Sequence, residues 1–97
     1  MIAQLRIYTI NKGMMESWLS LFTGNLEPLL AENGMGVQSR WTNDTGSQFI
    51  WIKTFEGNEA QLQIREKGFF GSPWWLENVE TVRSHIAHQE IISLNKV

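Results

Sequence analysis

The chain has no cysteine. That absence excludes disulfide frameworks, thiolate nucleophiles and every cysteine-ligated zinc or iron–sulfur site. Nor is there any excess of basic charge: eight Lys and Arg stand against ten Asp and Glu, for a net charge of −2 and a pI near 5.6. A surface of that balance cannot neutralise a phosphate backbone, so nucleic acid is not an expected partner. Long apolar runs are missing too. The opening stretch MIAQLRIYTI carries Gln4 and Arg6 inside it and suits neither a secretory leader nor a membrane span. A cytoplasmic protein without a membrane partner is the expectation.

What remains is an ordinary small globular composition with one anomaly. The 97 residues are 42% hydrophobic and 19% charged, enough for one domain over residues 1–97. A chain this short buries roughly 60–65% of its unfolded surface, so its core is thin and a partner subunit would help. Five of the residues are tryptophan. Aromatics at that density in a small domain commonly line a pocket or a subunit interface.

Hydrophobic periodicity divides the chain into seven segments. Residues 2–10 alternate, with Leu5, Ile7 and Thr9 on one side and Gln4, Arg6 and Tyr8 on the other, as in a strand. Asn11-Lys12-Gly13 ends the run. From residue 14 to 32 the period becomes helical, with Met15, Trp18, Leu19, Phe22, Leu26, Leu29 and Leu30 on one stripe. Pro28 lies within that stripe, and Gly24 stands four residues earlier, where the proline ring would press; a kinked helix follows. Residues 35–43 and 48–55 read as a hairpin around Asp44-Thr45-Gly46. Residues 57–68 suit a polar helix, Gly68-Phe69-Phe70-Gly71 an aromatic link, and Ser72-Pro73 the start of a helix over residues 73–85. Residues 87–94 supply the last strand.

The order strand, helix, hairpin, helix pair, strand gives an α+β fold: a ferredoxin-like four-stranded antiparallel sheet with helices on one face. Parity places Gln4, Arg6, Tyr8, Phe49, Trp51, Lys53 and Phe55 together on the face away from the helices. Four aromatics cannot sit comfortably in water, and two cations cannot make a dry core. A second subunit packing sheet on sheet around a partly polar cavity answers both demands.

The segments QLRIYTINKG, LEPLL, GVQSRWTNDTG and PWW, in this order from Gln4 to about Ser93, resemble the NIPSNAP family. The matching positions are Leu5, Arg6, Tyr8, Gly13, Pro28, Trp41, Thr42, Gly46 and Trp75. The resemblance implies the dimeric α/β-barrel superfamily, in which ferredoxin-like protomers pair as homodimers; it implies no assigned activity. Gln4, Trp51 and Lys53 depart from the family pattern, all on the presumed cavity face.

Arg6 and Tyr8, two apart on one strand, could orient an anionic or carbonyl ligand; the alternative is a structural salt bridge from Arg6 to Glu90 on the last strand. His85 and His88 are the only histidines, and with helix giving way to strand between them their rings diverge. A metal is therefore not expected. No cofactor is required, although one histidine could serve as proton donor or haem ligand. Trp74, Asn78, Thr81 and His85 form a second line on the last helix that could wall a pocket, or Trp74 could simply pack under Phe69 and Phe70. Nucleophile elbows, phosphate loops and paired carboxylates are absent, and Glu56, Glu59 and Glu66 look like a solvated helix surface.

Two readings follow. In one, a homodimer binds a small organic molecule in an aromatic, partly basic cavity lined by Trp51, Lys53, Trp41, Trp74 and His85. In the other, a cofactor-independent monooxygenase or isomerase, or a haem-degrading monooxygenase-like enzyme, uses Arg6 to hold an oxyanion, Tyr8 to orient substrate and His88 to exchange a proton.

Overall fold

The computed structural model describes residues 1–97. Its central strand, β1 (Ile2–Ile10), is flanked on one side by β3 (Gln48–Phe55) and on the other by β4 (Ile86–Leu94), all antiparallel. The strand β2 (Met35–Thr42) pairs with β3 at the outer edge, so the sheet order is β2-β3-β1-β4. This is the ferredoxin-like arrangement. Asn43 builds the β2–β3 turn by accepting the N–H groups of Ser47 and Gln48 on its side-chain oxygen, each at 2.9 Å.

The first helical segment runs without a break from Met15 to Glu32, but its middle is wider than an α-helix. Between α1 (Met15–Leu21) and α2 (Glu27–Glu32), Phe22–Leu26 form a π turn in which the Glu27 N–H reaches back five residues to the Phe22 carbonyl. Pro28 has no N–H to offer the carbonyl four residues before it, and the widened turn absorbs that loss. A methyl group added at Gly24 would meet nothing within 4 Å. The π turn, rather than a glycine, makes room for the proline.

The helix α3 (Glu59–Phe70) opens with a reciprocal capping box between Asn58 and Gln61 and extends through Phe69 and Phe70, which do not form a link. Gly68 keeps that last turn helical against a close neighbour: a Cβ there would lie 2.7 Å from the Asn33 side-chain oxygen. The helix α4 (Pro73–His85) starts at Ser72, whose hydroxyl accepts from the Trp75 N–H at 3.3 Å.

The parity expected for the sheet is inverted. Residues paired across an antiparallel ladder share a face. The register Gln4↔Lys53, Arg6↔Trp51 and Tyr8↔Phe49 therefore keeps the expected set together, but that face lies under the protomer's own helices. Trp18 and Phe22 pack on Tyr8, Phe49 and Trp51 with ring centroids 4.8–5.9 Å apart. The aromatic rings fill the gap between sheet and helices, and the two cations are accommodated by a cavity and by an acidic partner from α3. The outward face instead carries Leu5, Ile7, Ile50 and Ile52, flanked by Ile92 and an exposed Trp41. No helix is long and apolar enough to cross a membrane.

Candidate functional site

Between the sheet and the helices lies a cavity of about 280 Å³. Its floor comes from β1 and β3, whose alternation brings Arg6, Tyr8, Trp51 and Lys53 to one side. Trp18 and Phe22 from the first helical segment, and Phe69, Trp75 and Val82 from α3 and α4, form the walls. Exposed Phe70, Arg83 and Gln89 mark its open side. Most of the lining is apolar, as in small-molecule sites, and the volume is at the small end of the ~300–1,000 Å³ usual for them.

The polar groups in the cavity are unequal in number. Lys53 is only 5% exposed and makes an ion pair of 3.0 Å with Glu66, the one carboxylate in the lining. Arg6 has no carboxylate partner. Its guanidinium donates to Gln4 Oε1 at 3.2 Å and lies over the faces of Trp51 and Tyr8, 5.4 and 6.0 Å from their centroids. Cation–π contact of this kind stabilises a desolvated guanidinium by about 1–2 kcal/mol but satisfies none of its N–H groups. Arg6 Nε, Trp18 Nε1 and Trp51 Nε1 are buried without an acceptor in the protein. Each such orphan costs about 1–3 kcal/mol.

Burial pushes the Tyr8 phenol above its ordinary value; the Arg6 charge and the nearness of the Trp51 and Arg6 N–H groups oppose the shift without cancelling it. Tyr8 therefore keeps its proton at neutral pH and is a donor, not a base. Burial, reinforced by the Arg6 charge, pushes the Lys53 ammonium below its ordinary value, while Glu66 and Glu59 act in the opposite sense.

Four of the eight expected site residues meet here: Arg6, Tyr8, Trp51 and Lys53. The others do not. His88 pairs with Thr9 on the opposite, outward face of the sheet and cannot join Arg6 and Tyr8 in one protomer. Glu90 pairs with Ile7 on that same outward face, so the Arg6–Glu90 salt bridge does not form. Trp41 is 63% exposed on the outward face. His85 is buried outside the cavity lining: its Nδ1–H donates to the Thr81 carbonyl at 2.7 Å and its Nε2 accepts the Ser17 hydroxyl at 2.8 Å. Both ring nitrogens are thereby engaged. The Trp74 line is not a wall of this cavity either: Trp74, Asn78 and Thr81 are absent from its lining, and Asn78 donates to the Trp74 carbonyl at 2.8 Å. Trp75 is the one that packs on Phe69 and Phe70, at 5.2 and 5.1 Å, and reaches the cavity.

No imidazole lines the cavity, so neither His85 nor His88 is placed there as a haem ligand. No group of three or more His, Asp or Glu side chains is placed to hold a metal. Glu66 was hidden in the sequence among surface acids, yet Leu62, Glu66 and Phe69 stand at i, i+4 and i+7 on α3; the spacing from buried Leu62 was the signal that it faces inward.

Sheet order and helix placement define a ferredoxin-like α+β protein with a cavity between its sheet and helices. Several solved structures that share this fold over almost the whole chain are NIPSNAP proteins. An uncharacterised NIPSNAP domain protein from Burkholderia xenovorans superposes with a TM-score of 0.86 at 16% identity, covering 100% of this chain and 95% of that one. A NIPSNAP family protein from Agrobacterium tumefaciens gives 0.86 at 20% identity, covering 99% and 92%. An antibiotic biosynthesis monooxygenase gives 0.71 at 13% identity, covering 100% and 99%. At such identities the likeness is one of fold. No protein-family model and no curated protein matches the chain.

Proposed function

We propose that the chain works as a homodimer, each protomer binding one small, flat organic molecule in the cavity between its sheet and helices. The observation that carries this reading is the cavity itself: a mostly apolar, largely aromatic lining that includes a few polar groups, with exposed Phe70, Arg83 and Gln89 at its open side. The outward sheet face supports the dimer, since a face led by Leu5, Ile7, Ile50 and Ile52 is the kind that subunits cover.

Trp18 and Trp51 line the cavity, so tryptophan fluorescence reports on an occupant. Titration with naphthalene-sized aromatics, neutral and charged, is expected to give saturable quenching that Val82→Phe abolishes by filling the space. Circular dichroism checks that the variant folds. Equal quenching of wild type and Val82→Phe, or none in either, defeats the reading.

A second reading is an enzyme of the cofactor-independent monooxygenase or isomerase type, and the fold of the antibiotic biosynthesis monooxygenase favours it. Arg6 would hold a developing oxyanion and Tyr8 would donate to it. The proton exchange expected of His88 would pass to Lys53, whose depressed pKa suits the task. Lys53→Met would then end turnover while binding persists.

A further inference from the structure

Three buried side-chain polar atoms have no partner within the protein: Arg6 Nε, Trp18 Nε1 and Trp51 Nε1. All three are hydrogen-bond donors, and all three residues line the same cavity. Tyr8 adds a phenol held in its protonated, donating form. Acceptors in the lining are few: Glu66 is already engaged by Lys53 at 3.0 Å, and Gln89 stands exposed at the open side. Arg6 and Lys53 against Glu66 leave a surplus positive charge inside, and Arg83 adds another at the entrance. A protein interior ordinarily pairs donors with acceptors. Here donors and positive charge both accumulate around one space, and its one acidic residue, Glu66, answers Lys53 and leaves Arg6 without a carboxylate.

Resting on the reading of this cavity as a ligand site, we infer that its ligand is a flat aromatic carboxylate, with the carboxylate held by Arg6 among the indole N–H groups and the ring between the aromatic walls. A carboxylate is acceptor-only and offers about four lone-pair directions, which matches a site in which donors outnumber free acceptors. The planar guanidinium fork suits it better than a point charge would, and such charge-assisted bonds are the strong ones. The aromatic remainder follows from the walls, Phe22 and Trp75 among them, and the volume of about 280 Å³ limits it to one or two fused rings. A neutral ligand of the same shape would leave the guanidinium without a counter-charge.

The test compares 2-naphthoate with 2-naphthamide, near-isosteres that differ in charge, by calorimetry on wild type and Arg6→Gln. Indole N–H signals of uniformly ¹⁵N-labelled protein are followed in parallel. Wild type is expected to bind the naphthoate at least tenfold more tightly, with the Trp18 and Trp51 indole signals among those that move. Arg6→Gln is expected to bind both compounds alike. Equal affinities in wild type overturn the inference and leave the cavity reading standing. A preference for naphthoate that survives in Arg6→Gln also overturns it, because the anion then sits elsewhere. If neither compound binds wild type and no indole signal moves, the cavity reading falls and takes the inference with it. The wild-type comparison needs no variant, so a misfolded Arg6→Gln protein cannot rescue the idea.

Discussion

Lys53 shows how one residue can be costly to the fold and useful to the site. Its ammonium is buried beside the Arg6 guanidinium on β1, its diagonal neighbour across the ladder, and it is steadied by Glu66 and Glu59 on α3. Burial first, and then the Arg6 charge, outweigh the two carboxylates and leave its pKa below the ordinary value of 10.5. Between the folded and the ordinary value the unfolded chain holds more protons than the folded one, so stability rises with pH across that window. At neutral pH the charged lysine therefore weighs against folding. Lys53→Met should match or exceed wild-type stability there, by up to about 1 kcal/mol, because it removes the desolvated ammonium while the Glu66 carboxylate left behind is 29% exposed and can turn to water. Urea denaturation at stepped alkaline pH should show the gap narrowing as wild-type Lys53 loses its proton. A gap that widens with pH contradicts the assigned direction. The presence of Arg6, Tyr8, Trp51 and Lys53 on one face was legible from parity alone. Which way that face points was not, because alternation fixes which residues share a face and is silent about what covers it.

Elements were read best where a strong period met clear punctuation, as in β1, the hairpin and α4. They were misread where glycine was taken for a breaker. Gly68 lies inside α3 because α3 approaches Asn33, and that contact between distant segments has no local signature. Gly24 looked required by Pro28, yet the π turn leaves space around it. The two glycines should respond oppositely to alanine. Gly24→Ala should stabilise by about 0.5–1 kcal/mol, since a helix-interior glycine carries an entropic cost and the new methyl group meets nothing. Gly68→Ala should destabilise by about 1 kcal/mol or more, because Asn33 must move and its hydrogen bond to the Leu29 carbonyl, now 2.9 Å, is lost. Thermal denaturation of both variants settles the signs. Stabilisation by Gly68→Ala would mean that Asn33 yields freely.

At the scale of the whole molecule, the dimensions of 37 × 36 × 19 Å describe a thin slab: one sheet, one layer of helices and nothing beyond the sheet. A single covered face is half of what a sheet with two apolar faces needs. The expectation of a dimer came from the aromatic face and loses that support, because the protomer's own helices cover it. The case now rests on Leu5 opposite Ile52 and Ile7 opposite Ile50, at the centre of the outward face. Placing a carboxylate there should act on assembly without touching the cavity, which lies on the other side of the sheet. Ile50→Glu is therefore expected to run as a folded monomer near the protomer mass of 11.2 kDa. Wild type should run at about twice that mass by light scattering coupled to size exclusion, as a closed two-fold pair requires. Quenching of the cavity tryptophans by an aromatic ligand should survive in the monomer if each site is built within one protomer. A dimer that persists in Ile50→Glu would place the interface elsewhere on the slab, and a monomeric wild type would leave the outward face to a different partner. Loss of quenching together with the dimer would mean that the second subunit completes the site.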